Sequence, residues 1–222
     1  MCTNYAAARR RTFEKYYGVA PPEDQWRDEA FQDYPAPIIR RNADADADAG
    51  AREAIVATFG MIPRSKMPAG KRYSTMNARV ETVGERPAYR VAWARQHLCL
   101  VPCEAIYEPN YESGKHERYR IELASEEPIA MAGLWRTWPG PEGDEVSFTL
   151  ITVNADEHPL MRRMHKPGDE KRSVVILRPD EYDDWLGCKS VDEARSLLRL
   201  YPAELMTARP EPKGPLSGAG FE

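Results

Sequence analysis

HLCLVPCEAIYEP, residues 97–109, is an apolar run of strand-forming residues with few breaks, and four more such runs follow it: ERYRIELA (117–124), PIAMAGLWRTW (128–138), VSFTLITVN (146–154) and RSVVIL (172–177). Each is short, apolar or alternating, and set off by turn-forming clusters, a pattern that predicts β-strands paired mainly antiparallel. Outward toward the N-terminus, 85–97 (ERPAYRVAWARQH) reads as a helix with Pro87 in its first turn, and 54–63 (AIVATFGMIP) as a buried strand. The NADADADAG stretch at 42–50 alternates like a strand, but Ala and Asp are poor strand formers, and it is expected to be a surface loop. Residues 21–41 carry too many prolines and turn formers for a long regular element. Residues 6–17 (AAARRRTFEKYY) predict a helix stopped by Gly18, with Phe13, Tyr16 and Tyr17 on its buried face. Outward toward the C-terminus, PDEYDDWLG (179–187) and VDEARSLLRL (191–200) predict two helices, the second capped by Ser190. From Thr207 the composition is that of disorder.

The expectation is one α+β domain over residues 2–206, with a mainly antiparallel sheet flanked by helices, and a disordered tail over 207–222. A chain of 222 residues can bury a sizeable core. Its 42% hydrophobic and 30% charged residues are ordinary for a soluble domain. Mean hydropathy of -0.64 and the absence of a long apolar run exclude a membrane span. No signal segment opens the chain, and four cysteines, Cys2, Cys99, Cys103 and Cys188, make no secreted disulfide framework, so a cytoplasmic protein with free thiols is expected. A net charge of -4 argues against nonspecific coating of nucleic acid, while leaving room for a local basic groove. Basic residues cluster at Arg9–Arg11, at Arg64–Arg72, and at Arg162, Arg163, Lys166, Lys171 and Arg172.

Cys2 carries the most distinctive chemistry. With Met1 removed it holds an α-amine and a thiol on adjacent carbons, groups that titrate near ~8 and ~8.5. Such a pair attacks an aldehyde through nitrogen and closes through sulfur into a thiazolidine. Position alone favours a plainer reading, a frayed terminus. Three further stretches place polar residues among apolar ones. In STMNARVET (74–82), Asn77, Arg79 and Glu81 alternate and would share one face of an extended segment, a pattern equally common on a solvated strand. Glu108 stands in the apolar 97–109 run, where a carboxyl has its neutral form favoured and can serve as general acid or base; a Glu paired to an arginine fits the same pattern equally well. His165 precedes a Lys-Pro-Gly turn leading into a strand, a loop position where catalytic groups collect, although a lone histidine is more often structural. His158 reads as a loop or capping residue, and His97 and His116 have no evident partner. Cys99 and Cys103, spaced C-x3-C with no second pair, read as core or semi-buried thiols rather than zinc ligands, so no metal and no cofactor are expected. Phosphate-binding glycine loops and serine-nucleophile elbows are absent.

Taken in order, MCTNY, FGMIPR, NARVET, CLVPCEAIYEP, PIAMAGLW, LITVNADEHPLMRRMHKPGDEKRSVVIL and DDWL resemble the SOS response-associated peptidase (SRAP) family from Cys2 to about Leu186. The resemblance implies a β-barrel-like sheet flanked by helices. It implies a protein that captures abasic sites in single-stranded DNA through a thiazolidine crosslink at the N-terminal cysteine, with a self-processing peptidase capacity, in the DNA damage response; a monomer is expected. Residue by residue it implies that Cys2 is the nucleophile, that Asn77 orients it and the sugar, and that Glu108 is the acid/base carboxylate. His165 assists ring opening, and Arg79 and Arg86 contact phosphates. The chain departs from the family pattern at Thr3 and Asn4, which replace a Gly and an Arg, at Pro109 in place of a Trp, and in RSKMPAGKR, which lacks a Trp. Two other functions use the same residues: an N-terminal-nucleophile peptidase or amidase in which the Cys2 thiol attacks an amide, and a noncatalytic DNA- or protein-binding module.

Overall fold

A computed structural model of the chain describes residues 2–42, 51–141 and 143–213. The Ala-Asp repeat, apart from Asn42, and the tail after Lys213 lie outside the described residues.

The 97–109 run becomes β6 (Leu98–Asn110), a 13-residue strand long enough to serve several neighbours along its length. It pairs antiparallel with β1 (Asn4–Ala7), β3 (Pro35–Arg41), β7 (Glu117–Leu123) and β8 (Ile129–Trp138). Strand β8 pairs antiparallel with β9 (Glu145–Asn154), β9 runs parallel to β4 (Arg52–Phe59), and β4 is antiparallel to β3. The path β6–β8–β9–β4–β3 therefore returns to β6 and closes a five-stranded barrel. Shorter strands extend the sheet: β2 (Glu29–Ala30) beside β1, β5 (Asn77–Arg79) parallel to β9, β10 (Arg172–Val174) against β9, β11 (Ile176–Leu177) against β8 and β12 (Met206–Pro210) against β7. The pairing is mainly antiparallel, as the sequence predicts. Helices are few and short: α1 (Arg90–Ala94), α2 (Tyr182–Gly187) and α3 (Val191–Leu197).

The runs that form β6, β8 and β9 are nearly continuous because these strands are buried on both faces over most of their length. Alternate residues divide between two cores. Ile38, Phe59, Val101, Met131, Phe148 and Leu150 fill the barrel, while their neighbours Ile39, Leu100, Ala130, Ala132 and Ile151 pack outward under Trp93 of α1 and Trp185 of α2. The indole of Trp185 donates to the Cys99 carbonyl at 2.9 Å, tying α2 to β6. Cys99 and Cys103 are wholly buried, and all four thiols are free. Gly133 marks the tightest crossing: a Cβ there would stand 2.9 Å from both Cys99 Sγ and the Thr149 carbonyl oxygen.

Four local expectations change. The helix predicted over 6–17 is instead the end of β1, a 3₁₀ turn at Arg10–Thr12 and a single π turn at Phe13–Tyr17, closed by Gly18 at φ 65°. Pairing of Ala6 with Ala105 and of Ala7 with Cys103 overrides the helix preference of the alanines. Phe13 and Tyr17 are buried as predicted, but Tyr16 is only half-buried. Within 21–41 the seven-residue β3 forms despite its prolines, because Pro35 and Pro37 lie two apart and lose N–H groups from one edge only. The helix predicted over 85–97 is reduced to α1, with Pro87 in the turns before it. The expected tail from Thr207 is not free at its start, since Thr207 and Arg209 stand in register with Glu122 and Arg120 of β7. Ser190 caps α3 as predicted, accepting from the Glu193 backbone at 3.2 Å.

Candidate active site

Cys2 lies just before β1, whose register with β6 sets Asn4 opposite Tyr107 and so carries Cys2 toward the Glu108 end of that strand. The side chain is 1% exposed, and its thiol donates to the Asn4 carbonyl at 3.4 Å. Burial raises the thiol well above its usual range and the neighbouring Glu108 carboxylate raises it further. The sulfur is therefore held as S–H. Across the sheet, β5 runs beside β9 and presents Asn77, whose Nδ2 donates to the Cys2 carbonyl at 2.7 Å. Tyr89 donates in turn to the Asn77 carbonyl at 3.1 Å. The Asn77 Oδ1 is buried with no hydrogen-bond partner among the described residues, an acceptor held ready beside Cys2.

Glu108, 2% exposed, and His165, 8% exposed, meet at 2.9 Å between Oε2 and Nε2. The meeting depends on an unusual backbone. His165 has φ 62°, a left-handed conformation uncommon for a residue with a side chain. Its N–H donates to the Pro109 carbonyl at 2.6 Å, and Lys171 Nζ donates to the carbonyls of Lys166 at 2.7 Å and His165 at 3.3 Å. Asn110 holds the same loop, donating to the Arg163 carbonyl at 3.0 Å. His158 is a capping residue as predicted: Nδ1 accepts from the backbones of Leu160 and Met161, and Nε2 donates to the Tyr201 carbonyl. Asn110 and Lys171 were not legible as loop holders. The signal was a polar residue ending a buried strand in one case and a lysine just past a Lys-Pro-Gly turn in the other.

The structure thus brings Cys2, Asn77, Glu108 and His165 to one place. The predicted arginines fare differently. Arg79 is bound to Glu170 at 2.7 Å. Arg86 is exposed and, with Asn77, Arg79, Tyr73 and Tyr89, lines a cleft of about 550 Å³. Glu81 lies beyond β5 and pairs with Arg172, which is 2% exposed and also bonded to Glu170 and the Thr152 carbonyl, so Arg172 leaves the basic cluster read from sequence. Arg64, Lys71 and Arg72 line an adjoining cleft of about 360 Å³ that shares Tyr73 and Ser74 with the first. On the His165 side, Tyr111, Arg162, Arg163 and Lys171 line a third, of about 590 Å³. Asn4 is turned inward, donating to Glu29, which also pairs with Arg118. Among the described residues no three His, Cys, Asp or Glu side chains group as metal ligands, and no helix is long and apolar enough to cross a membrane.

The sequence is 33% identical over 154 residues to the abasic site processing protein YoqW of Bacillus subtilis, covering 68% of this chain and 65% of that protein. It is 24% identical over 197 residues to the abasic site processing protein HMCES of Xenopus tropicalis, covering 79% of this chain and 57% of that one. The match thus spans just under two thirds of the first relative's length and less of the second's. A crystal structure of a Bordetella bronchiseptica protein superposes with a TM-score of 0.85 at 34% identity, covering 96% of this chain and 100% of that one. A Bacteroides thetaiotaomicron protein shares the fold, with a TM-score of 0.74 at 23% identity. The family described as SOS response associated peptidase (SRAP) matches residues 1–213, and the chain belongs to it.

Proposed function

We propose that this protein captures abasic sites in single-stranded DNA through a thiazolidine crosslink at Cys2, once Met1 has been removed. The observation that carries the reading is the pairing of the Asn77 amide with the Cys2 carbonyl, opposite a buried Glu108–His165 pair. Relatives named as abasic site processing proteins support the substrate class.

The steps follow from the groups present. Abasic deoxyribose rests mainly as a closed hemiacetal, and the Glu108–His165 pair moves the anomeric hydroxyl proton to the ring oxygen, opening it to the aldehyde. The Cys2 amine adds to the carbonyl carbon, and the carbinolamine loses its hydroxyl as water to give the imine. The thiol then adds to the imine carbon, its proton passing to nitrogen, for a net loss of one water. The amine acts first because only nitrogen can expel the carbinolamine hydroxyl to form an imine, the electrophile that the neighbouring thiol then captures. Ring closure is intramolecular, and well-oriented reactions of this kind reach effective molarities of ~10⁵ M or more. Asn77 fixes the Cys2 backbone, and its open Oδ1 accepts from the amine or a sugar hydroxyl. Arg86, with Arg79 when it leaves Glu170, binds flanking phosphates, and exposed Tyr73 offers a face for a flanking base. A self-processing peptidase step that exposes Cys2 belongs to the same proposal, with Glu108 and His165 as the groups that move protons.

The test is intact mass and a denaturing gel of Met1-processed protein mixed with a single-stranded oligonucleotide carrying one abasic site. A heat-stable adduct at protein plus DNA minus water, absent in Cys2→Ala, is the expected result. Folded protein with a free Cys2 terminus and no adduct would overturn the reading and direct the search to peptide substrates.

A further inference from the structure

A pocket of about 280 Å³ lies between α1 and the Arg136–Thr137 end of β8, lined by Ala88, Val91, Arg95, His97, Arg136 and Thr137. Ala88 also lines the Arg86 cleft, so the two depressions meet at that residue. The pocket is cationic. Arg136 is half-buried and lies with its guanidinium 3.7 Å from the centre of the Trp138 ring, and Arg95 is exposed at the opposite wall. Neither has a carboxylate partner among the described residues, whereas Arg40, Arg52, Arg79, Arg118 and Arg172 all do. Glu145, the residue in register with Trp138, is engaged by Lys66 at 3.2 Å. The lining residue His97 stacks on Trp135 behind it at 4.6 Å, and Arg40 covers the same indole at 4.3 Å.

We infer that this pocket is a phosphate-binding station for the nucleic-acid strand that leaves the Arg86 cleft over Ala88. A partly desolvated guanidinium without a counter-ion gains most from an anion that forms paired hydrogen bonds, and phosphate oxygens match the guanidinium fork. Burial lowers the basicity of Arg136, a cost that a bound anion offsets. Stacking on Trp138 fixes the guanidinium plane in advance, which reduces the ordering cost on binding. The ligand is the backbone rather than a base, because the one aromatic side chain lining the pocket, His97, already stacks on Trp135. The station rests on the single-stranded DNA reading above and extends it: flanking nucleotides on one side of the lesion contribute affinity, without sequence preference.

Equilibrium binding separates the two ideas. Full-length, Met1-processed protein is titrated by fluorescence anisotropy with oligonucleotides carrying a tetrahydrofuran abasic analogue, which has no aldehyde. One oligonucleotide is short; the others extend it by several nucleotides on the 5′ or the 3′ side. The wild type is expected to bind one extended form more tightly and with a steeper salt dependence. Arg95→Ala/Arg136→Gln is expected to lose that gain, its slope of log K against log salt falling by about 1.4 for two lost phosphates at ~0.7 each. Arg95→Lys/Arg136→Lys, which keeps the charge, is expected to retain most of the slope. No gain from extension in the wild type, or an unchanged gain in the Ala/Gln variant, overturns the inference. So does a loss seen only with an acidic peptide while DNA binding is unchanged. Crosslinking of a short, true abasic oligonucleotide is run in parallel: its failure in the wild type overturns the capture chemistry, and its persistence in the Ala/Gln variant assigns the binding loss to the pocket.

Discussion

The side-chain amide of Asn77 donates to the backbone carbonyl of Cys2 at 2.7 Å, joining residues 75 positions apart. The bond reaches the residue that carries the proposed nucleophiles through its main chain, so it fixes where the amine and thiol point without consuming either. Asn77→Ala leaves the Cys2 carbonyl short of its donor and frees the segment before β1. Removal of one buried hydrogen-bond partner costs on the order of 1–3 kcal/mol. The crosslinking rate is expected to fall by roughly 10- to 100-fold, read by gel time courses on an abasic oligonucleotide, with the melting temperature lowered by about 2–12 °C. Asn77→Asp, which places an acceptor where the donor was, is expected to be no better than the alanine variant.

Glu108 and His165 lie 57 positions apart and meet through the left-handed turn at His165. Their separate removal tests whether they act together. Glu108→Gln and His165→Gln are each expected to slow adduct formation by roughly 10²-fold or more, the usual contribution of a positioned acid or base. The double variant is expected to be little worse than either single, since groups acting as a unit are not additive. Additive losses would show two independent roles.

The site was legible in the sequence to the extent that its residues stood out against their surroundings. Glu108 interrupts an apolar strand, Asn77 alternates with Arg79 and Glu81 in an extended segment, and His165 precedes a turn into a strand, so each was visible locally. What joined them was the ordered resemblance across the chain, because nothing local reports that β5 runs beside β9 or that β1 docks on β6. Strands β6, β8 and β9 read well for a physical reason: burial on both faces leaves a nearly continuous apolar run. The N-terminal segment did not. Its alanines are good helix formers, and only the β6 edge, a hundred residues away, makes them a strand. The role of Arg172 was hidden in the same way, since a basic residue in a basic run gives no sign that Glu81 and Glu170 will bury it.

Alkaline pH is expected to destabilise the fold through its thiols. Burial raises Cys2, Cys99 and Cys103 well above the ordinary thiol range. Between the unfolded thiol value near ~8.5 and the raised folded values, the unfolded chain has lost protons that the folded chain keeps. The stabilisation is complete below pH ~8.5 and is lost as pH rises toward the folded values, by up to ~1.4 kcal/mol per pH unit for each thiol. Urea midpoints measured from pH 7 to 10 are expected to fall above about pH 8.5, and Cys99→Ser/Cys103→Ser is expected to flatten that fall while lowering stability at pH 7.

Gly133 faces the crossing of β6, β8 and β9, where the carbonyl of Thr149 leaves no room for a methyl group. A backbone oxygen in a closed barrel cannot move aside as a side chain can. Gly133→Ala is expected to cost about 1–3 kcal/mol by overpacking, seen as a lower urea midpoint with an unchanged m-value.

Glu170 holds Arg79 and Arg172 together, one at the rim of the Arg86 cleft and the other buried. Arg86 faces that cleft with no competing carboxylate among the described residues, so Arg86→Ala is expected to weaken DNA binding and reduce the salt slope by about 0.7, the share of one phosphate on a single strand. Arg79 must first give up Glu170, so Arg79→Ala is expected to lower affinity less than Arg86→Ala. Glu170→Gln frees Arg79 at the rim, while buried Arg172 keeps Glu81 and the Thr152 carbonyl. That variant is expected to bind single-stranded DNA more tightly than the wild type at low salt, with the slope steeper by up to ~0.7. Weaker binding by Glu170→Gln, with folding intact, would show instead that the carboxylate positions Arg79 for its phosphate rather than restraining it.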